Sequence, residues 1–129
     1  NIIMEQSSGV LHYLDWELAH VGDPREDLGW WVLAMGSQPP DIIKENEDAF
    51  FGRYREATGL SADVVNPQTV AYFTVLASSL VFFNLIKMTS KLANGEGMSS
   101  SVAYMTNAMP YMHSVWINAM KTSGHWTKD

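Results

Sequence analysis

The chain has 129 residues, of which 47% are hydrophobic and 12% aromatic, enough to fill the core of one domain spanning 1–129. Its formal net charge of −6 at pH 7 argues against nucleic acid or an anionic membrane as a partner, because both need a basic face on the protein. The absence of cysteine excludes disulfides, thiolate metal sites and thiol nucleophiles, and we expect a cytoplasmic protein.

Residues 1–15 predict a β-hairpin. An apolar run from Ile2 to Met4 is followed by turn residues at 6–9 and by a second β-favouring run from Val10 to Leu14. Two strands alone are marginally stable in water, so we expect the hairpin to pack on helices or to join a larger sheet. Because the chain begins without a methionine or a leader-like segment, we also expect it to be a piece of a longer protein.

The first helix is predicted to begin at Asp23. An aspartate before a proline is a strong start signal, because the carboxylate accepts an orphan backbone amide and Pro24 has no amide to lose. Glu26, three residues after Asp23, makes a capping box available. An apolar stripe carries the helix to about Met35, and Gly36 is expected to end it.

Two further helices are predicted in the middle of the chain. The first is amphipathic and runs from Asp41 to Thr58. The next begins with the cap-then-proline pair Asn66-Pro67, and no charged side chain occurs from Val64 to Ile86. That run is long enough to suggest a membrane span, but polar residues interrupt it and no basic flank frames it. We therefore expect a buried central helix and no membrane.

A last long helix is predicted from about Ser100 to Ser123, with a kink caused by Pro110. Its apolar residues recur at spacings of three and four, so one stripe should face the core. The predicted fold is α+β and mostly α, with a short hairpin (1–15) followed by four to five helices (23–123).

Two acids at the end of the second strand are the first candidates for chemistry. Asp15 and Glu17 would lie on the same side of an extended chain, where two carboxylates can share a hard cation such as Mg²⁺. On spacing alone a structural role is favoured, in which these acids cap turns or pair with Arg25, because paired acids after a strand are common.

The surrounding pattern resembles a known family. From Val10 to Trp30, about a sixth of the chain, the sequence is similar without gaps to the metal-binding segment of the aminoglycoside phosphotransferase family. The closest resemblance is to the branch that includes the amino-terminal domains of acyl-CoA dehydrogenase family members ten and eleven. The residues that carry it are Leu14-Asp15-Trp16-Glu17-Leu18-Ala19-His20, Gly22-Asp23-Pro24 and Asp27-Leu28.

The resemblance implies a kinase-like fold, of which this chain would be part of the carboxyl-terminal lobe. It implies that Asp15 holds Mg²⁺ on the phosphates of ATP and that Asn1 binds metal through its side-chain oxygen, with Glu17 in a less secure second place. The family's loop reads His-Gly-Asp, four residues, then Asn. If Asn1 is that Asn, the catalytic Asp lies five residues before the chain begins, and this chain contains no catalytic residue.

The resemblance also suggests supporting roles. Asp27 would accept backbone amides of the catalytic loop, whereas Asp23 is predicted to cap the helix and not to bind metal. An acceptor pocket between the late helices and that loop would involve Trp31, Tyr104 and Trp116.

We therefore expect the parent protein to be an ATP-dependent small-molecule kinase that transfers the γ-phosphoryl group to a substrate hydroxyl, with Mg²⁺ and ATP bound. Its partners would be the hydroxyl acceptor and the amino-terminal lobe of its own chain, and a homo-oligomer is allowed. The fragment alone should be inactive. The alternative is a non-catalytic helical interaction module or a degenerate kinase relative whose acids are structural.

Overall fold

The computed structural model describes the backbone of residues 1–36, 40–96 and 100–124, and the side chains of these residues except those at 40–45 and 100–106. This part of the chain forms a mostly helical α+β structure, in which an amino-terminal two-stranded antiparallel hairpin is followed by four helices. The predicted order of a hairpin and then helices is confirmed.

The hairpin consists of β1 (Ile2–Met4) and β2 (Leu11–Tyr13). Gly9 closes the turn with φ of +71°, in the left-handed region that favours glycine. The backbone N–H of Leu14 donates to the carbonyl of Asn1 at 2.9 Å, so the pairing continues one step beyond the assigned strands. That step fixes Asn1 opposite the end of β2.

The hairpin contacts none of the four helices in the described part of the chain. All of its strand residues are exposed, including Ile3 and Tyr13, which are more than half exposed. We expected the hairpin either to pack on the helices or to join a larger sheet. Packing on the helices is not observed in the described part of the chain, and joining a larger sheet stays a prediction.

The helices are α1 (Arg25–Gly36), α2 (Pro40–Thr58), α3 (Pro67–Ala93) and α4 (Ser100–Thr122). The long α3 packs against both α1 and α4, and α2 packs against α1. The central position predicted for α3 is confirmed by its row of buried residues: Val70, Ala71, Phe73, Thr74, Ala77, Ser78, Val81 and Leu85. By length and composition alone α3 could also cross a membrane, a test that the core helix of a soluble protein passes equally well.

Both ends of α3 follow the sequence signals. The Asn66 side chain accepts the backbone N–H of Thr69 at 3.0 Å, and the Asn66 N–H donates to the Thr69 hydroxyl at 3.2 Å, which completes a capping box. At the other end Asn94 is the C-cap, and Gly95 follows with φ of +81°.

The core has two centres. The first joins α1, α2 and the start of α3 through Leu28, Phe51 and Val70. The second lies between α1, α3 and α4, where Leu33 packs against Ala77, Val81, Met112 and Val115. Burial of Leu33 extends the predicted stripe of α1, because α1 is enclosed by α3 and α4 instead of resting on one neighbour.

Two glycines permit this enclosure of α1. A Cβ on Gly29 would lie 2.5 Å from the carbonyl carbon of Phe73, and a Cβ on Gly36 would overlap Cγ2 of Val115. The sequence predicted that the helix runs to about Met35 and that Gly36 ends it. In the structure Gly36 is the last residue of α1. Its main role in the structure is the close approach of α4.

The extent of α4 agrees with the prediction, and the helix continues through Pro110. The kink expected from Pro110 stays a prediction. The side chains suited to cap the two helix starts, Asp41 for α2 and Ser99, Ser100 or Ser101 for α4, lie outside the described residues.

Candidate functional site

The end of the hairpin brings together the two residues expected to bind metal. The Asn1 side-chain N–H donates to Oδ2 of Asp15 at 3.0 Å, although 14 positions separate them in sequence. The backbone bond between Asn1 and Leu14 causes this proximity, because it aligns Asn1 with the residue just before Asp15. A carboxylate can only accept, so the Asn1 amide must present its nitrogen to Asp15 and keeps its oxygen for another partner.

Asp15 has an unusual backbone. Its φ is +65°, and it is the only described non-glycine residue with positive φ. Aspartate tolerates this left-handed conformation better than most residues. Directly after it, the Trp16 indole N–H donates to the carbonyl of Tyr13 at 2.8 Å. This bond stabilises the sharp change of chain direction at Asp15, which we call the reversal.

The reversal separates Asp15 from Glu17. The prediction that these acids lie on one side assumed an extended chain, and the positive φ at Asp15 breaks the alternation that it needed. Glu17 is exposed and does not line the cleft that contains Asp15. The assumption of an extended chain through Asp15 is therefore wrong. Binding of Glu17 to the same Mg²⁺ as Asp15 stays a prediction without geometric support.

A cleft of about 550 Å³ lies between the end of the hairpin and the start of α1. The hairpin side contributes Asn1 and Asp15, and α1 with the turn before it contributes Asp23, Glu26 and Asp27. Two of these acids contact a basic side chain: Asp23 contacts Arg25, and Glu26 contacts His20. The cleft therefore combines oxygen ligands with a negative potential, which suits a hard cation.

Asp23 is occupied by Arg25. Its Oδ1 accepts the Arg25 backbone N–H at 2.9 Å, as an N-cap carboxylate does, and the guanidinium donates to both carboxylate oxygens at 2.9 and 2.7 Å. These bonds lower the pKa of Asp23 to about 2. The Arg25 guanidinium also lies 4.9 Å from the ring centre of Phe73, which links this turn to α3.

Glu26 forms a different contact from the capping box that its position allowed. Its Oε2 lies 2.8 Å from Nε2 of His20, while Nδ1 of His20 lies 3.0 Å from the carbonyl of Leu18. Both partners are acceptors, so the arrangement is satisfied best when both ring nitrogens carry protons. The Leu18 carbonyl first, and then the Glu26 carboxylate, raise the pKa of His20.

Asp27 faces the same cleft from the first turn of α1. It is exposed and accepts no hydrogen bond from any described residue. Its predicted partners are the backbone amides of a catalytic loop expected before Asn1. Its support role therefore stays a prediction.

Of the three residues predicted for an acceptor pocket, Trp31 and Trp116 do not line this cleft. Trp31 stacks on Phe50 with ring centres 3.9 Å apart and planes 5° apart, which places it between α1 and α2. Trp116 packs edge-on against Phe82 in the contact of α4 with α3. The side chain of Tyr104 lies outside the described residues.

Trp30, the neighbour of Trp31, lines the cleft instead. It is 40% exposed, because it points away from α2 and towards the segment after Asp15. The sequence signalled only that adjacent aromatics must occupy different faces of a helix. It did not indicate which of the two faces the site.

The oxygen ligands of this cleft suit Mg²⁺, which is usually shared with phosphates and water, better than a metal ion whose ligands all come from the protein. Among the described residues no group of three or more histidines and acids could hold an ion. Mg²⁺ commonly takes one or two protein oxygens and fills its remaining positions with phosphate oxygens and water. The Asp15 carboxylate and the side-chain amide oxygen of Asn1 provide such a partial set.

Comparison with known proteins adds no relative. No family model, no curated protein and no solved structure matches this chain.

Proposed function

We propose that this chain is the metal-binding part of an ATP-dependent small-molecule phosphotransferase. The supporting observation is the contact between Asn1 and Asp15 at the end of the hairpin, with Asp15 held in a left-handed backbone conformation. In kinase-like enzymes a carboxylate and an amide oxygen hold the Mg²⁺ ions that bridge the phosphates of ATP.

The arrangement of charges is consistent with that role. Asp23 is neutralised by Arg25 and Glu26 lies against His20, so Asp15 and Asp27 are the carboxylates of the cleft without a cationic contact among the described residues. Mg²⁺, when bound, would neutralise charge that develops on the phosphates. Asp15 and Asn1 would hold the ion, and the reversal at Asp15 would fix the direction of the carboxylate.

The proposal concerns a longer polypeptide in which a catalytic Asp precedes Asn1. The encoding DNA should therefore specify His-Gly-Asp, with its Asp five residues before Asn1. Another residue in place of that Asp would contradict the proposal.

The first functional prediction is that Asp15→Asn in the full-length protein lowers Mg²⁺-dependent ATP turnover about a hundredfold or more, because it removes a charged ligand of the Mg²⁺ that would bind the phosphates. Asp63→Asn is the matched control, since Asp63 is an exposed acid in the connection before α3 and does not line the cleft around Asp15. Turnover should be measured together with circular dichroism. Full activity of a folded Asp15→Asn protein would contradict the role of Asp15.

One observation favours the second candidate, a non-catalytic interaction module. The outer face of α3 carries large apolar side chains at spacings of three and four over four turns, all of them at least 41% exposed: Tyr72, Leu76, Leu80, Phe83 and Ile86. A stripe with this spacing is the surface that a helix presents to another helix.

For this candidate, Leu80→Glu should weaken binding of a partner chain at least about tenfold, because it places a charge in the middle of an apolar contact. Ala57→Glu introduces the same charge at an exposed position of α2, away from the stripe on α3. Affinity purification of both variants would show equal partner recovery if the stripe were not an interface.

A further inference from the structure

A second cleft, separate from the Asp15 cleft, lies where all four helices meet. It measures about 470 Å³ and shares no lining residue with the cleft around Asp15. Its floor is apolar and is formed by Val32, Val70, Ala71, Val115 and Ala119. A volume of this size is typical of pockets that bind small molecules.

Glu47 is the only residue described in the wall of this cleft that carries a charge at neutral pH. It lies on α2 three and four residues before Phe50 and Phe51, so it shares the helix face that packs against α1. An acid therefore occupies a position where the pattern of α2 favours an apolar residue. Its side chain is half-buried for this reason.

Glu47 has no hydrogen-bond or ion-pair partner among the described residues, and its neighbour Asp48 carries the same charge. Burial, and then the proximity of Asp48, raise the pKa of Glu47. A carboxylate placed in this way destabilises the protein unless something pairs with it. A ligand with a positive charge would provide the missing partner.

The opposite rim of the cleft offers further acceptors. Tyr111, Ser114 and Asn118 follow one another along α4 at spacings of three and four, so their polar groups lie on one face of that helix. An ammonium group has three donors and needs several acceptors. A lining that combines one carboxylate, several polar side chains of α4 and apolar residues matches a primary amine with an alkyl chain.

We propose that the cleft between Glu47 and the polar face of α4 is a binding site for a small aliphatic amine. The ammonium group would pair with the Glu47 carboxylate, and the alkyl chain would lie against Val70 and Val115. The protein's net charge of −6 favours the approach of such a cation. This site is independent of the proposed phosphotransferase function.

The test uses hexylammonium as the probe and 1-hexanol as its neutral match, titrated into the ¹⁵N-labelled chain at about pH 8, where the amine is still protonated. We expect hexylammonium to shift the amide signals of residues around Val115 and to bind about tenfold more tightly than hexanol, the difference attributable to one charge-assisted contact.

Glu47→Gln should remove this difference and leave hexanol binding unchanged. Asp48→Asn, a substitution of the neighbouring exposed acid, should preserve the preference. The proposal is overturned if neither probe binds, if both bind equally to the unmodified chain, or if the two variants lose the preference equally, which would indicate a general effect of charge. The amide spectrum of each variant reports whether the fold is intact.

Discussion

At the scale of single residues, His20 connects the segment after Asp15 to α1. One ring nitrogen faces the Leu18 carbonyl and the other faces the Glu26 carboxylate, and both contacts favour the imidazolium form. The wall of the Asp15 cleft therefore contains a group whose charge changes near neutral pH.

The raised pKa of His20 gives a pH dependence with a definite sign. The folded state binds the proton more tightly than the unfolded state, so the stabilising contribution is complete below the ordinary pKa of 6.5. It is lost as the pH rises through the higher pKa of the folded protein. An NMR titration of the His20 ring should give a pKa above 6.5, and a value at or below 6.5 would show that the two contacts do not persist in solution.

A matched pair of variants separates the two causes. Glu26→Gln should lower the pKa of His20 only in part, because the contact with the Leu18 carbonyl, the largest single cause, remains. Glu17→Gln makes the same change of charge on an acid that does not contribute to the shift, and should leave the pKa where it was.

At the scale of elements, the crossing of α1 over α3 depends on Gly29. The main chain of Phe73 occupies the space where a side chain at position 29 would begin. Glycine in the middle of a helix is unfavourable in itself, by roughly 0.5–1 kcal/mol relative to alanine. Its presence in α1 is therefore explained by the short distance between the two helices.

We expect Gly29→Ala to lower the free energy of unfolding by about 1–3 kcal/mol, because the added methyl group must push the backbones of α1 and α3 apart. Chemical denaturation measures this change. Gly52→Ala is the control: Gly52 is also helical, but a Cβ there would meet nothing closer than the Arg55 side chain at 4.0 Å. That substitution should be neutral or stabilising by up to about 1 kcal/mol. Equal effects at both positions would contradict the role of the close crossing.

Element starts could be predicted from sequence, whereas the crossing could not. The pair Asn66-Pro67 identifies the start of α3, because capping depends on residues within one turn. The need for Gly29 depends on Phe73, which is 44 positions away and belongs to another helix. A local pattern carries no information on that distance.

The candidate site also combines a feature that the sequence predicts with features that it does not predict. The proximity of Asn1 and Asp15 follows from the register of a hairpin, which the turn at 6–9 makes predictable. The absence of Glu17 from the cleft accompanies the left-handed backbone at Asp15. Aspartate tolerates that conformation without requiring it, so the residue type alone does not predict it.

At the scale of the whole molecule, the helices share a core centred on α3, and the hairpin stands apart from it. The Asp15 cleft lies at the connection between these two parts, since the hairpin supplies Asn1 and Asp15 and α1 supplies Asp27. The amine cleft lies within the helical part alone. Two candidate sites with no common residue can be altered separately, which makes the proposals for them separable by mutation.

The spacing of Gly29 and Gly36 also restricts how this fold can evolve. The two glycines are seven residues apart, about two turns, and each is covered by a different helix, through Phe73 of α3 and Val115 of α4. A larger residue at position 36 becomes acceptable only if position 115 becomes smaller, since the conflict there is between side chains. At position 29 the obstacle is main chain, which substitution cannot shorten. An alignment of relatives should therefore show position 29 almost invariant as glycine, while positions 36 and 115 covary in volume.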